Sequence, residues 1–185
     1  MKFKLLRMVF SVGVVMFLCG CLPLGAAGNE VANLAVVANA SSSYCSGDTT
    51  LTALNDGYVP ENSADARHRS YGNWPRRGTQ WVQYEWSQPI ETRGMDVYWW
   101  IDGQGVGAPK SCRLLYWDGV SFLPVEGASG LGVAGNTFNT TSFNPVRTTT
   151  LRLEIVSDGE LSTGLLEWKV YDSGKSPIFP PDSSY

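Results

Sequence analysis

The sequence has few of the residues on which most enzymes and nucleic-acid-binding proteins depend. It contains one histidine, His68, four cysteines, and 14 Lys+Arg against 17 Asp+Glu, for a formal net charge of −3. A nucleic-acid-binding surface needs a concentrated Lys/Arg face, so this charge balance argues against such a partner. The chain also has no Gly-x-Ser-x-Gly nucleophile motif and no His/Cys cluster with zinc spacing. These absences leave little support for an enzyme.

Paired carboxylates are the one catalytic chemistry that the composition leaves open. Glycoside hydrolysis needs two carboxyl groups that face each other across about 5–10 Å. Asp65 and Asp102 are the pair that could meet in this way. Most carboxylates of an acidic domain are simply solvated. We therefore expect no catalytic residues, with a small glycosidase as the less favoured alternative.

The first twenty residues have the pattern of an export signal. Three basic residues precede an apolar run from Val9 to Leu18, which is too short to span a membrane comfortably. The run ends in Leu18-Cys19-Gly20-Cys21, which resembles a bacterial lipobox. The resemblance implies that Cys21 receives a diacylglycerol and a further acyl chain such as palmitate, and becomes the new N-terminus. The alternative is a plain cleavable signal with incidental cysteines.

The flanks of the domain follow from the same pattern. Leu22 rather than Asp follows Cys21, so the usual inner-membrane retention signal is missing. We therefore expect a lipid-anchored protein of the bacterial cell envelope, at the outer membrane. Residues 21–32 are small and weakly patterned and are predicted to form a tether. Residues 173–185 are predicted to be a disordered tail, which leaves a domain over residues 33–172.

The domain has the period-two patterning of half-buried strands. Alternate residues are apolar in Trp81–Trp86 and in Leu151–Ile155. Turn signals such as Asp118-Gly119 and Asn144-Pro145 separate these segments. Short strands at this spacing, with no long helical period, predict an all-β fold: an antiparallel β-sandwich of the jelly-roll type. The other predicted strands are Leu34–Ser41, Met95–Ile101, Cys112–Trp117, Ser121–Val125, Thr137–Phe143 and Leu166–Val170.

Short motifs in a fixed order carry a resemblance to a known family. Asn55-Asp56-Gly57, Trp81-Val82-Gln83-Tyr84 and the closing Glu167-Trp168-Lys169-Val170-Tyr171 resemble a coagulation-factor type C (discoidin) domain. This is the galactose-binding-like jelly roll that includes family 32 carbohydrate-binding modules. Trp74-Pro75-Arg76 and Pro109-Lys110-Ser111 are similar to the accessory β-sandwich of bacterial glycosidases of the β-L-arabinofuranosidase type.

The resemblance covers about residues 33–172 and leaves out any catalytic domain. It therefore implies a non-catalytic carbohydrate-binding module whose partner is a glycan or polysaccharide. Discoidin folds also serve protein and lipid partners, and a fold does not determine a function. A structural or protein-binding envelope lipoprotein is the alternative.

The resemblance also implies one structural calcium ion. Related modules often hold a cation with the Asp of the Asp-Gly turn and a Glu at the start of the last strand, the positions of Asp56 and Glu167. Calcium takes about six to eight oxygen ligands, but the stretch Tyr58–Ala64 differs from the usual acidic turn. An Asx-turn at Asp56 and a salt bridge of Glu167 are the alternative.

Loops at one end of the sandwich hold the sugar in related modules, and here these are residues 65–74 and 99–104. A sugar ring stacks on Trp or Tyr while Arg, His or Asp binds its hydroxyl groups. Trp74 could instead plug the core, and the arginines could form a solvated edge or attract an acidic glycan. Neighbours in a strand alternate, so one of Trp99 and Trp100 must face inward. The predicted carbohydrate-binding residues are His68, Arg69, Tyr71, Trp74, Trp100 and Asp102.

Two cysteines remain after lipidation, and a disulfide is the usual state of two exported cysteines. Cys45 and Cys112 both lie next to loops expected at the same end of the sandwich. We therefore predict a Cys45–Cys112 disulfide, with two buried free thiols as the alternative.

Overall fold

The computed structural model describes residues 31–179, which form an antiparallel β-sandwich and confirm the predicted fold class. Two short 3-10 helical turns, Leu34–Val37 and Leu51–Leu54, precede most of the strands. Among these residues no helix is long and apolar enough to cross a membrane. The strands are β1 (Asn39–Ser42), β2 (Tyr71–Gly72), β3 (Thr79–Trp100), β4 (Val106–Gly107), β5 (Ser111–Trp117), β6 (Phe122–Pro124), β7 (Phe138–Val156) and β8 (Ser162–Asp172).

Two long strands, β3 and β7, pair along their length and take part in both layers of the sandwich. The first half of β3 pairs with β1 and the second half pairs with β8. This change of pairing partner follows a shift of register between Glu85 and Ile90. One layer is therefore β1–β3–β7–β5–β6, and the other is β2–β8–β3–β7. The pairs are antiparallel except for β4 with β8.

The predicted turn at Asn144-Pro145 is wrong, because both residues lie inside β7. Proline lacks an N–H donor and is tolerated in a strand only at an edge or a bulge. The pairing of β7 with β3 shifts register opposite this point, between Thr92 and Gly94. The ladder therefore accommodates the proline, and two predicted strands become one.

The core lies between the two layers. The Tyr84 ring of one layer stacks on the Trp168 ring of the other, with 4.2 Å between centroids and 14° between planes. Both side chains are 0% exposed. The Tyr84 hydroxyl lies 2.7 Å from the carbonyl oxygen of Leu54, so the buried O–H is satisfied. Trp99 is fully buried and Trp100 is half-buried, as strand alternation predicted.

The two ends of the sandwich differ in what they carry. We call the end with residues 44–50, 65–78 and 100–110 the loop end; Trp100 pairs there with Gly164 near the start of β8. We call the opposite end the base; the Asp172 N–H donates there to the Ala32 carbonyl at 3.0 Å. The 11 residues of β8 separate the two ends by about 33 Å. The described chain therefore begins at the base.

The segment after β8 differs from the disordered tail predicted for residues 173–185. The Ser173 N–H donates to the Glu91 carbonyl at 3.0 Å, and the Ser176 hydroxyl donates to the same oxygen at 3.1 Å. The Lys175 ammonium lies 3.3 Å from a Glu91 carboxylate oxygen. The bend of β3 thus offers acceptors that hold residues 173–176 against the base.

The predicted disulfide is wrong, since Cys45 and Cys112 are both free thiols. Cys45 follows β1 and Cys112 lies in β5, with β3 and β7 between them. Three strand spacings of about 4.8 Å separate those strands, whereas a disulfide needs Cα atoms within about 7 Å. The Cys112 sulfur lies instead 3.7 Å from the Leu131 carbonyl oxygen. The predicted signal peptide, the lipidation site Cys21 and the tether up to residue 30 lie outside the described residues.

Candidate functional site

Buried polar side chains hold the loop end together. Asn73 is fully buried, and its amide donates to the Thr163 hydroxyl at 2.8 Å and accepts from the Thr163 N–H at 2.9 Å. The Ser46 hydroxyl donates to the carbonyls of Gly72 and Trp74, at 3.0 and 2.7 Å. These bonds tie the segment after β1 and residues 72–74 to the start of β8. The loops that carry the candidate site are therefore fixed to the sandwich.

Two glycines allow the Trp100 ring to lie close against the backbone. A Cβ atom on Gly72 would come 2.8 Å from Trp100 Cζ3, and one on Gly164 would come 2.8 Å from Trp100 Cε3. Real Cβ atoms essentially never approach this closely, so only glycine leaves room for the ring. One part of the indole is thereby buried and the other part is available at the surface.

Trp100 lines a groove of about 560 Å³, which we call the Trp100 groove. An aromatic ring, a guanidinium, a carboxylate and several hydroxyl groups meet there. A sugar is recognised by such a combination, because its C–H face stacks on the ring and its hydroxyl groups bind the polar side chains. The lining residues are Gly47, Asp48, Thr49, Thr50, Ala66, Arg69, Ser70 and Trp100.

The side chains of Asp48, Thr49 and Thr50 were not predicted as site residues. They lie in a polar loop after β1, where nothing local distinguishes a binding residue from a solvated one. Only the pairing of β1 beside β3 brings this loop next to residues 66–70. A backbone bond from the Thr50 N–H to the Ser70 carbonyl, 3.0 Å long, joins the two segments.

Arg69 occupies the boundary of this groove with an unusual backbone. Its φ is +102°, a region that non-glycine residues adopt rarely and at a cost of about 1–3 kcal/mol. Its guanidinium donates to the Thr52 hydroxyl at 3.0 Å. No carboxylate of residues 31–179 forms an ion pair with it. Most of its N–H donors therefore remain available to a ligand.

A second groove, of about 430 Å³, lies on the other side of Arg69, and we call it the His68 groove. The exposed His68 ring stacks on the Tyr58 ring, with 3.9 Å between centroids and 30° between planes. Tyr58 was not predicted, since it belongs to the stretch that departs from the family pattern. The lining residues are Asp56, Gly57, Tyr58, His68 and Arg69.

Asp65 supports this second groove from beneath. Its carboxylate is 2% exposed and accepts from the Tyr58 hydroxyl at 3.0 Å and from the Glu61 N–H at 3.0 Å. The Arg67 guanidinium binds both carboxylate oxygens, at 2.7 and 2.9 Å. These hydrogen bonds, the one from Arg67 foremost, hold the pKa of Asp65 well below its ordinary value. Asp65 is thus an ionised structural carboxylate that positions Tyr58.

Asp102 organises the loop after β3. Its Oδ1 accepts from the N–H groups of Gln104, Gly105 and Val106, at 2.8, 2.9 and 3.0 Å. Burial raises the pKa of Asp102, but these backbone bonds outweigh it and leave the pKa below its ordinary value. Asp65 and Asp102 are therefore both ionised and engaged within their own loops. This arrangement gives no support to a glycosidase pair, which needs one protonated carboxyl group.

Two predicted aromatic residues have different environments. Trp74 is 58% exposed, so it does not plug the core. It lies over the loop after β3, where a Cβ on Gly105 would be 3.6 Å from its ring, and it lines neither groove. Tyr71 is fully buried in β2 and donates from its hydroxyl to the Tyr44 carbonyl at 2.8 Å. The prediction that Tyr71 contacts a sugar is therefore wrong, because its strand pairing turns the ring into the core.

Glu167 is the most unusual carboxylate of the domain. It is 0% exposed, and neither of its carboxylate oxygens has a hydrogen-bond partner among the described residues. Burial, reinforced by the negative charge of Asp56, raises its pKa to about 8. The salt-bridge alternative for Glu167 is therefore wrong. Asp56 does form the Asx-turn, since its Oδ1 accepts from the Tyr58 N–H at 2.9 Å.

The chemistry of Glu167 fits a bound cation. A buried anion without a donor is costly, and a cation would supply the missing charge. Glu167 and Asp56 would be the only acidic ligands, since no group of three or more His, Cys, Asp or Glu within residues 31–179 could hold a metal. Backbone carbonyls and water would have to complete the coordination.

Neither a family model nor a curated protein matches the sequence. Among solved structures, the chain is similar to one from the Streptococcus pneumoniae beta-galactosidase BgaA, with 20% identity and a TM-score of 0.68 over 77% of this chain and 99% of that one. It is similar to the family 32 module of C. perfringens NanJ, solved with galactose (12%, TM-score 0.58, 77% and 98% covered). It is also similar to chitosan-binding module 1 of a Paenibacillus sp. IK-5 chitosanase/glucanase (14%, TM-score 0.58, 76% and 98% covered).

These likenesses show that the fold is a galactose-binding-like β-sandwich, as the sequence motifs predicted. Each of the three chains is matched over nearly its whole length.

Proposed function

We propose that this domain is a non-catalytic carbohydrate-binding module and that the Trp100 groove is its ligand site. The observation that carries the proposal is the meeting of the half-buried Trp100 ring, the unpaired Arg69 guanidinium and the Asp48 carboxylate in one groove. The ring gives a sugar an apolar face to stack on, and the two charged groups hydrogen-bond its hydroxyls.

The comparisons support a glycan as the partner. One similar chain is a family 32 module solved with galactose, and another is named as a chitosan-binding module. Both solved chains are matched over nearly their whole length, so each is a single sandwich of about this size. The bonds of Asp65 and Asp102 within their own loops support a role without catalysis.

We extend the proposal to display from a lipid anchor at Cys21. The lipobox-like Leu18–Cys21 supports the anchor. The residue after Cys21 is Leu22 and not the Asp of the inner-membrane retention signal, which supports the outer membrane. The described chain begins at the base, about 33 Å from the loop end. The ten residues from Leu22 to Val31 reach at most about 35 Å. A lipid at Cys21 would then hold the base toward the membrane and leave the Trp100 groove open to the surroundings.

We also propose one structural calcium ion at Glu167 and Asp56. The bound ion would supply positive charge to a carboxylate that has no donor, and would stabilise the turn at Asp56 that leads into the His68 groove. Its role is in stability rather than in direct ligand contact, because Glu167 is fully buried.

A glycan array with the purified protein tests the ligand class. We expect retention on a subset of glycans, loss of retention in Trp100→Ala, and full retention in Trp117→Ala. Trp117 is a matched control because it is also a half-buried strand tryptophan but lies at the end of β5 near the base. Absence of any binding at millimolar glycan, with a stoichiometric protein partner that co-purifies, would favour the adaptor alternative.

A further inference from the structure

We propose that the ligand is an oligosaccharide of at least two sugar units that lies across Arg69 and occupies the Trp100 groove and the His68 groove together. This inference rests on the proposed function, and it names the length of the ligand and its course over the surface.

Arg69 lines both grooves. A guanidinium carries five N–H donors in a planar fork. One of its nitrogens donates to Thr52, and none of the ion pairs within residues 31–179 involves Arg69. The remaining donors can therefore bind hydroxyl groups of two neighbouring sugar units, one on each side.

Arg69 and Arg67 lie two residues apart but have different partners. Arg67 binds Asp65 through two nitrogens and lies 3.0 Å from a carboxylate oxygen of Glu61. Its guanidinium is thus engaged in supporting the loop. Arg69, with φ at +102°, leaves the loop in a different direction and reaches Thr52 instead. Backbone strain of this kind is found where a surrounding structure holds a residue for a function.

The His68 groove has its own aromatic surface. His68 stacks on Tyr58, and the Tyr58 hydroxyl is bound by the buried Asp65 carboxylate. Asp65 therefore fixes one ring on which a sugar can pack, and His68 adds ring nitrogens that can bind a hydroxyl group. The groove has what a second sugar subsite needs without any contribution from Trp100.

The two grooves measure about 560 and 430 Å³, and each alone lies in the range of about 300–1,000 Å³ of ordinary small-molecule sites. A single sugar unit in the Trp100 groove would leave Tyr58, His68 and some of the Arg69 donors in water. A longer ligand would use them.

Calorimetric titration with ligands of increasing length tests the inference. The probes are galactose with galacto-oligosaccharides, and glucosamine with chitosan oligomers, of one to four units. We expect the series that binds to gain about tenfold or more in affinity from one unit to two or three. In His68→Ala we expect most of that gain to disappear, with less than about a twofold change for the single sugar. The control is Val59→Ala, an exposed neighbour of Tyr58 that lines neither groove.

Two outcomes would overturn the inference and leave the proposed function standing. One is equal affinity for the single sugar and for its oligomers. The other is a gain with length that survives in His68→Ala and is lost in Trp74→Ala, because the ligand would then extend over the opposite side of the loop end. Failure of both series and of every arrayed glycan to bind would overturn the inference together with the proposed function.

Discussion

Arg69 and Trp100 line one groove although they come from different segments of the chain. Arg69 lies between the second 3-10 turn and β2, and Trp100 is the last residue of β3. The guanidinium is unpaired in the described structure, and the indole lies against Gly72 and Gly164. The glycines keep the ring low in the groove, and the positive φ of Arg69 directs that residue to its edge.

Gly72→Ala should weaken glycan binding with only a moderate loss of stability. The new Cβ would lie 2.8 Å from the edge of the Trp100 ring, which must move. We expect urea unfolding to show a loss of about 1–3 kcal/mol in the free energy of unfolding. We expect calorimetric titration to show a larger relative loss of glycan affinity. Gly94→Ala is the control, because its added Cβ would make only ordinary contacts, 3.5 Å or longer, and Gly94 lines neither groove. Unchanged affinity in Gly72→Ala would mean that the position of the ring does not matter.

Calcium should stabilise the protein more at high pH than at low pH. The folded-state pKa of Glu167 is raised to about 8 from 4.5. Without a cation, the stability from its protonated form is fully present below about pH 4.5 and is lost as the pH rises through about 8. Calcium binds the ionised form, so it should raise the Tm by about 5–10 °C near pH 8 and by less near pH 5.

Glu167→Gln is the matched variant for this test, since it keeps the shape of the side chain without its charge. We expect its Tm to be insensitive to calcium and to depend less on pH than that of the parent protein. Differential scanning calorimetry with calcium or with a chelator makes both measurements. A calcium response that survives in Glu167→Gln would place the ion elsewhere.

Asp65→Asn should lower both the Tm and the contribution of the His68 groove. The pKa of Asp65 is held below its ordinary value of 3.8, chiefly by Arg67, so its stabilising bonds are present above that value and are lost as the pH falls below it. The parent protein should therefore become less stable in acid, and the variant should lose this part of the dependence. Glu126→Gln, which changes an exposed carboxylate that lines neither groove, is the control. Equal acid sensitivity in Asp65→Asn and in the parent would contradict the assignment.

The two thiols should react with alkylating reagents at very different rates. Burial raises the pKa of Cys112 to about 11, so little thiolate is present at neutral pH. Cys45 is a half-buried thiol in the segment after β1, 3.5 Å from the Thr49 hydroxyl. Of Cys45 and Cys112, mass spectrometry after brief alkylation should show modification of Cys45 only, and of both after unfolding. If neither Cys45 nor Cys112 of the unfolded protein reacts until a reductant is added, the two residues form a disulfide and the free thiols of the structure are contradicted.

Strand patterning was readable from the sequence because it is a local property. Alternation in Trp81–Trp86 correctly predicted which side chains enter the core, and the adjacent Trp99 and Trp100 were correctly divided between inside and outside. The family motifs correctly predicted the sandwich. The Cys45–Cys112 pairing failed because it depends on strand order, which places two strands between them.

The site itself was less readable, because similar residues in one loop have different partners in space. Arg67 forms an ion pair with Asp65, whereas Arg69 lines a groove and forms no ion pair with any carboxylate of residues 31–179. Tyr71 enters the core because β2 pairs with β8. Asp48 reaches the site only because its loop lies beside residues 66–70. No spacing in the sequence separates these cases.

The most direct test is nuclear magnetic resonance of the protein titrated with a glycan that the array retains. The account predicts shifts in the amide signals of residues 47–50 and 66–70 and in the indole N–H of Trp100, one of seven tryptophans. Signals from the base, including residues 117–122 and 172–176, should stay unchanged. Shifts confined to the base or to the outer strands, with the Trp100 indole unmoved at saturation, would contradict the assignment of the groove.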